Sequence, residues 1–176
     1  MTAVDNATFT AAQFNTHVRD NLLETGPAKI TAANQYLVAT GSKTMAARTP
    51  AVDFIATAES TTSTSYTNLT TTGPAVTVTT GTAALVDVGA NMRSSLLAEG
   101  MYMGVTVSGA TTLAAADALS LGFDGTPSAS CQVLASKALI YTGLTAGSNT
   151  FTAKYRSTAA GNTALYVNRR IIVIPL

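Results

Sequence analysis

Hydrophobic and polar positions follow two different periods along this chain. From about residue 60 onward the period is two. Ala84, Val86, Val88, Ala90 and Met92 share one face, with Asp87 and Asn91 on the other. Met101, Met103, Val105 and Val107 repeat the pattern against Thr106 and Ser108. Leu119, Leu121 and Phe123 follow, and then Phe151, Ala153 and Tyr155 against Lys154 and Arg156. Such alternation is that of strands with one face on a core. With the turn residues between them, it predicts strands over 65–69, 75–79, 83–92, 101–108, 118–124, 131–141, 150–156 and 163–174. Thr80-Gly81-Thr82 reads as a tight hairpin connection, and 125–127 and 143–147 read as loops. Evenly spaced strands of this kind predict a mainly β chain with an antiparallel β-sandwich or jelly roll over 60–176.

The last strand breaks the alternation, because Ile171-Ile172-Val173-Ile174 is apolar on both faces. One face of an antiparallel sandwich covers the core and the other is usually wet. The second face therefore needs a cover, from the N-terminal arm or from a neighbouring subunit. The reading favoured here is a subunit interface at Ile172, Ile174 and Tyr166; the other is a strand central within one protomer.

Residues 1–59 have a different character and read as a docking arm. Thr10 suits a helix N-cap, and Gln13 three residues on completes a capping box. Phe9 and Phe14 stand at the two positions of a hydrophobic staple. Phe14, Val18 and Leu22 recur every fourth residue, with Leu23 beside them, and Asn15, Arg19, Asp20 and Glu24 occupy the other face. Gly26-Pro27 signals the stop. A helix over about 10–24 follows, marginal by itself at this length. Its stripe of Phe9, Phe14, Val18, Leu22 and Leu23 is the candidate docking surface for a larger partner. A short hairpin over about 36–48 comes next, turning at Thr40-Gly41-Ser42. A lone hairpin is also marginal in water.

Composition sharpens this picture. Charged residues are only 11% of the 176 and hydrophobic ones 47%, the opposite of the balance that accompanies disorder. Little charge is left to keep an isolated monomer soluble, so partners are expected to cover part of the surface. The net charge of +1 gives no electrostatic footprint for nucleic acid. No stretch reaches the length of a membrane span, and the N-terminus lacks a basic-then-apolar signal pattern. Neither nucleic acid nor membrane is expected as a partner.

Catalytic chemistry has little material. His17 is the single histidine and would have to serve any serine or cysteine machine as its base. It lies on the arm helix, where Asp20 at helical spacing could orient it, but an ordinary polar histidine is the expectation. Cys131 is the single cysteine, which excludes an intramolecular disulfide and a thiolate zinc cluster. Asp117 and Asp124 are too far apart in register for a carboxylate pair. Asp124-Gly125-Thr126-Pro127 is a turn sequence with one local carboxylate, against the six to eight oxygens calcium takes. No catalytic residue, cofactor or metal site is expected.

The segment from Phe9 to Lys29, FTAAQFNTHVRDNLLETGPAK, resembles the N-terminal part of small structural proteins of tailed bacteriophages, especially those of actinobacteria. These are head decoration or minor tail proteins. Tyr36-Leu37-Val38-Ala39-Thr40-Gly41 with Ala46-Ala47-Arg48 is similar to the short repeat that follows in them. Phe151 to Arg156 and Asn168 to Leu176 are similar to their C-terminal domains. The resemblance implies a homotrimer with a jelly-roll C-terminal domain, similar in outline to tumour-necrosis-factor-like folds. It further implies a virion surface protein, assembled in the host cytoplasm, with the major capsid protein lattice as partner. The chain begins close to its helix and has no long shaft, which favours capsid decoration. The alternative is a minor tail or fibre protein that binds a host surface glycan through the loops 125–130 and 143–149.

Overall fold

The computed structural model describes residues 8, 10–23, 25–125, 128 and 130–176. It comprises two compact units, Met1–Arg48 and Thr49–Leu176. Phe9 lies outside the described residues, as does the side chain of Leu23, so the expected staple and two of the docking positions are not placed.

In the first unit the capping box forms. The Gln13 amide donates to Thr10 Oγ1 at 3.2 Å and the Thr10 amide donates to Gln13 Oε1 at 3.0 Å. The helix it starts is not uniform. Helix α1, Ala11–Phe14, passes through a π-helical turn, Asn15–Arg19, into α2, Asp20–Leu23. The helix ends at Leu23, close to the expected stop, and Gly26-Pro27 is not part of it. That pair opens a further turn, α3, Gly26–Lys29, since proline is suited to a first turn where its missing N–H goes unneeded. Strands β1, Tyr36–Gly41, and β2, Thr44–Arg48, pair antiparallel as the hairpin.

The second unit is an antiparallel sandwich. Its strands are β3 (Ala51–Ile55), β4 (Glu59–Thr61), β5 (Ala75–Thr80), β6 (Ala83–Ser94), β7 (Met101–Gly109), β8 (Leu121–Phe123), β9 (Gln132–Thr142), β10 (Gly147–Ser157) and β11 (Ala164–Pro175). One sheet has the order β5-β10-β7-β8 and the other β3-β11-β6-β9, with β4 also paired to β11. The chain crosses repeatedly between sheets, so that neighbours in sequence are seldom neighbours in a sheet. This is the connectivity of a jelly roll.

Three expectations are corrected here. Residues 51–55 and 59, assigned above to the arm, pair with β11 and belong to the sandwich, which begins near residue 49. Thr80-Gly81-Thr82 joins strands of different sheets and is a crossover, not a hairpin turn. Residues 65–69 form no strand; only Thr67 makes a single bridge, to Tyr155.

The core lies between the sheets and follows the alternation read from sequence. Ala84, Val86, Val88, Ala90 and Met92 of β6 face Met101, Met103, Val105 and Val107 of β7 and Phe151, Ala153 and Tyr155 of β10, all buried. Tyr141 meets Phe151 edge-on with ring centroids 6.1 Å apart, a favourable arrangement for the two quadrupoles. The Tyr155 hydroxyl donates to the Gly73 carbonyl at 2.8 Å, so its polar end is satisfied inside.

Tyr166 is also core, not interface. It is fully buried, stacks obliquely on Tyr155 at 4.7 Å, and its hydroxyl bonds the carbonyls of Arg156 and Tyr102. A bulge explains the error. Pairing between β11 and β6 shifts between Val167 and Arg170, where Asn168 takes a left-handed φ of 53°. One extra residue reverses every later side chain. Before the bulge even-numbered residues face the core; after it Arg169, Ile171 and Val173 do, leaving Ile172 and Ile174 on the outer face.

Candidate interaction surface

The two sheets treat their outer faces differently. On β5-β10-β7-β8 the outward rows are hydroxyl-rich: Thr77, Thr150 and Ser108 lie side by side, next to Thr152 beside Thr106. The chain's own loops cover the rest. Tyr66 packs over Gly104, and Leu113 bridges to Val107. A polar clasp holds these loops down. Asp117 receives a bidentate pair from Arg156, at 2.9 and 2.6 Å, and a hydrogen bond from Tyr66 at 2.9 Å. The Arg156 guanidinium lies 4.2 Å from the Tyr102 ring centroid and 5.7 Å from that of Tyr66. Its hydrogen bonds hold the Asp117 carboxyl below the usual range, while burial pushes the Tyr66 phenol up to about 12. Tyr102 in turn donates to Asp124. Both acids therefore have structural partners, as does Asn149 of the expected recognition loop. Its side chain bonds Thr80, Thr145 and Thr111 and is buried.

Among the described residues of its unit, the outer face of β3-β11-β6-β9 has no such cover. Cross-strand register sets its residues in rows. Ile174, Leu85 and Ile140 form one row; Val52, Ile172, Asp87 and Ala138 form the next. Phe54, Arg170, Gly89 and Ser136 form a third, and Val167, Asn91 and Leu134 a fourth. Val52, Phe54, Leu134 and Ile140 are 68, 55, 80 and 57% exposed. Singly exposed apolar residues are ordinary; a contiguous set on one sheet face is not.

One ion pair crosses this face. Arg170 Nη2 lies 3.2 Å from Asp87 Oδ2. Gly89 makes room for it, since a Cβ there would stand 2.8 Å from Arg170 Nε. Beside the pair runs a groove of about 520 Å³, lined by Phe54, Gly89, Leu134, Ser136, Asn168 and Arg170 among others. Sequence reasoning found Ile172 and Ile174 through the doubly apolar strand. It missed Val52, Phe54, Leu134 and Ile140, whose alternation was legible but whose face was not.

The arm presents its own apolar residues. Phe14 and Leu22 are 48 and 60% exposed, and Val18 is half-buried. His17 is exposed on the same helical region, and Asp20 pairs with Arg19, at 2.8 Å. Among the described residues no group of three or more acidic, histidine or cysteine side chains is placed to hold a metal, and no helix is long and apolar enough to cross a membrane.

No family model and no curated protein matches the sequence. Among solved structures, the infectious bursal disease virus VP2 subviral particle is 13% identical, with TM-score 0.48, over 82% of this chain and 37% of that one. Eiger TNF from S. frugiperda is 14% identical, with TM-score 0.49, over 73% of this chain and 92% of that one. The chain thus spans little more than a third of the VP2 chain it resembles.

Proposed function

We propose that this chain is a non-enzymatic structural protein of a tailed-phage virion. Three copies assemble through the open face of β3-β11-β6-β9, and the helix-bearing arm docks them on the major capsid protein lattice as decoration. The observation that carries this reading is the apolar face itself. It lies outside a core that is already complete, and its rows through Ile172 and Ile174 have no cover among the described residues of their own unit. Burying each large side chain there contributes about 1.5–3 kcal/mol. Association at such a face would remove the exposed apolar area that a charge-poor surface leaves in water. On the arm, Phe14, Val18 and Leu22 supply a second apolar surface, and three linked arms add avidity. The resemblance of the Phe9 to Lys29 segment to phage structural proteins gives the assembly its setting.

Antibody against the sandwich, gold-labelled and applied to intact particles, tests this. Label across the head at lattice spacing is the expected result. Label at the tail end alone would turn the reading to host recognition. In the arm, Phe14→Asp is expected to abolish incorporation into shells while the sandwich stays folded; wild-type occupancy would remove the docking role of the stripe.

A second reading draws on the groove. Phe54 is an exposed aromatic beside Arg170, Ser136 and Asn168, a combination that suits a sugar ring and its hydroxyls. A tail or fibre protein binding a host glycan there would leave the groove open in the assembled protein. Binding on a glycan array, lost in Phe54→Ala, would favour it.

A further inference from the structure

Arg169 is the one fully buried charged side chain among the described residues. It reaches inward from the bulge of β11, 5.4 Å from the Tyr155 ring centroid. Its charge is met by Glu59 of the three-residue strand β4, Oε2 to Nη2 at 3.1 Å. Nη2 also lies 3.4 Å from the Thr57 carbonyl, while Nε and Nη1 are buried without an acceptor among the described residues. Glu59 is a hub in its own right. Thr71 donates to it through its amide at 3.1 Å and its hydroxyl at 2.6 Å. Nearby, Asp53 of β3 accepts from the Ala75 amide at 2.8 Å. The ionisable groups gathered here from the packed strands are thus Asp53 of β3, Glu59 of β4, Tyr155 of β10 and Arg169 of β11.

The arrangement is lopsided. β3 and β4 are short and both pair with β11, and β3 lies at the sheet edge. The rest of the sandwich is built from strands of up to twelve residues with apolar inner faces. Breaking a buried ion pair from one side leaves an uncompensated charge, which costs far more than the pair itself contributes. Neutralising Glu59 would strand the Arg169 guanidinium in the core. The least costly relief is to let β4 and the turn at Thr71 come away, so that water reaches the guanidinium, while the long strands stay paired.

We propose that Glu59 and Arg169 form an acid-released latch, which fastens the short strands β3 and β4 and the turn at Thr71 to the long strands of the sandwich. Release would free the strand carrying Val52 and Phe54, and so dismantle one border of the open face. The latch does not depend on whether copies assemble or on what they dock to. Its direction in pH follows from chemistry. Thr71 first, and then Arg169, hold the Glu59 carboxyl below its ordinary value of 4.5. A carboxyl lowered on folding gives stability that is complete above the unfolded value and lost as pH falls through the folded one. The latch is closed at neutral pH and opens in acid below that value.

Residue-resolved hydrogen exchange, expressed as protection factors so that intrinsic rates cancel, tests this on the full chain between about pH 7 and pH 3. Protection at residues 52–55, 59–61 and 71 is expected to fall by about tenfold or more while β6 and β10 keep theirs within about twofold. Loss of protection in parallel across all strands would overturn the proposal. Glu59→Gln is expected to show the open pattern at neutral pH with little further change in acid. Should that variant not fold, Glu59→Gln with Arg169→Met removes both charges. The pair of changes is expected to restore protection of 59–61 and abolish its pH dependence. An unchanged acid profile in the double variant would also overturn the proposal.

Discussion

Asn162 shows how much a single buried side chain can organise. Its Oδ1 accepts from Ser94 Oγ at 2.7 Å and from the amides of Ser95 and Leu96 at 3.1 and 3.2 Å. Its Nδ2 donates to Ser157 Oγ and to the Gly100 carbonyl. One residue therefore ties the loop between β6 and β7 to the one between β10 and β11. Asn162→Ala removes these bonds from a fully buried position at once, and is expected to cost about 2 kcal/mol, read as a lower urea midpoint at unchanged slope. Gly104 acts through what it lacks. A Cβ there would lie 2.8 Å from Tyr66 Cε1 and 3.1 Å from Ala115 Cβ. Gly104→Val is expected to push Tyr66 out of the clasp and destabilise by about 1–3 kcal/mol. In a Tyr66→Ala background most of that cost should vanish, and a double-mutant cycle measures it. Additivity of the two changes would show that Tyr66 is not what the valine displaces.

Strands were legible from sequence where alternation met a complete core, as in β6, β7 and β10. They were illegible where local chemistry overrode the period. In β3 the large residues Val52 and Phe54 point outward and Asp53 inward, because Asp53 has the Ala75 amide to bond. A period-two reading alone would place Phe54 in the core. In β11 the cue to the bulge was Asn168 alone, a residue type that tolerates a left-handed φ, and without the register Tyr166 was set on the wrong face. Neighbouring β9 carries a device that is visible only in the fold. It is an eleven-residue edge strand with Leu134 and Ile140 exposed, a template for unwanted pairing. Its inward positions include Lys137, which donates to the Ser120 carbonyl at 2.9 Å. An inward charge on an edge strand resists another strand laid beside it. Lys137→Val is expected to raise aggregation on warming, seen by light scattering, without lowering the free energy of urea unfolding by more than about 0.5 kcal/mol. Unchanged scattering would mean that other features protect the edge.

At the scale of the molecule, the proposed assembly rests on the asymmetry between the two outer faces. One face is hydroxyl-rich and roofed by loops that Asp117 and Arg156 clasp. The other sets apolar rows around a single ion pair. Ile172 and Ile174 were legible in sequence as the apolar second side of a strand, but the extent of the face depends on which strands lie side by side, and that is a property of the fold. A stable interface buries about 800 Å² per partner with a few central residues dominating. Ile172 is central here, flanked in register by Val52 and Asp87. Ile172→Glu would set a second carboxylate beside Asp87 and remove apolar contact, and is expected to cost about 2 kcal/mol at each interface, roughly thirtyfold in a pairwise constant. Leu97→Glu is the matched control, since Leu97 is 61% exposed in the loop between β6 and β7 and lies off this face. Sedimentation of the wild type is expected to give a trimer, of the first variant a monomer at low micromolar concentration, and of the control a trimer. A wild type that sediments as a monomer at about 100 μM, well above the range of specific assemblies, would leave the face open to other occupants. The groove beside Phe54 would then be the surface to probe with glycans.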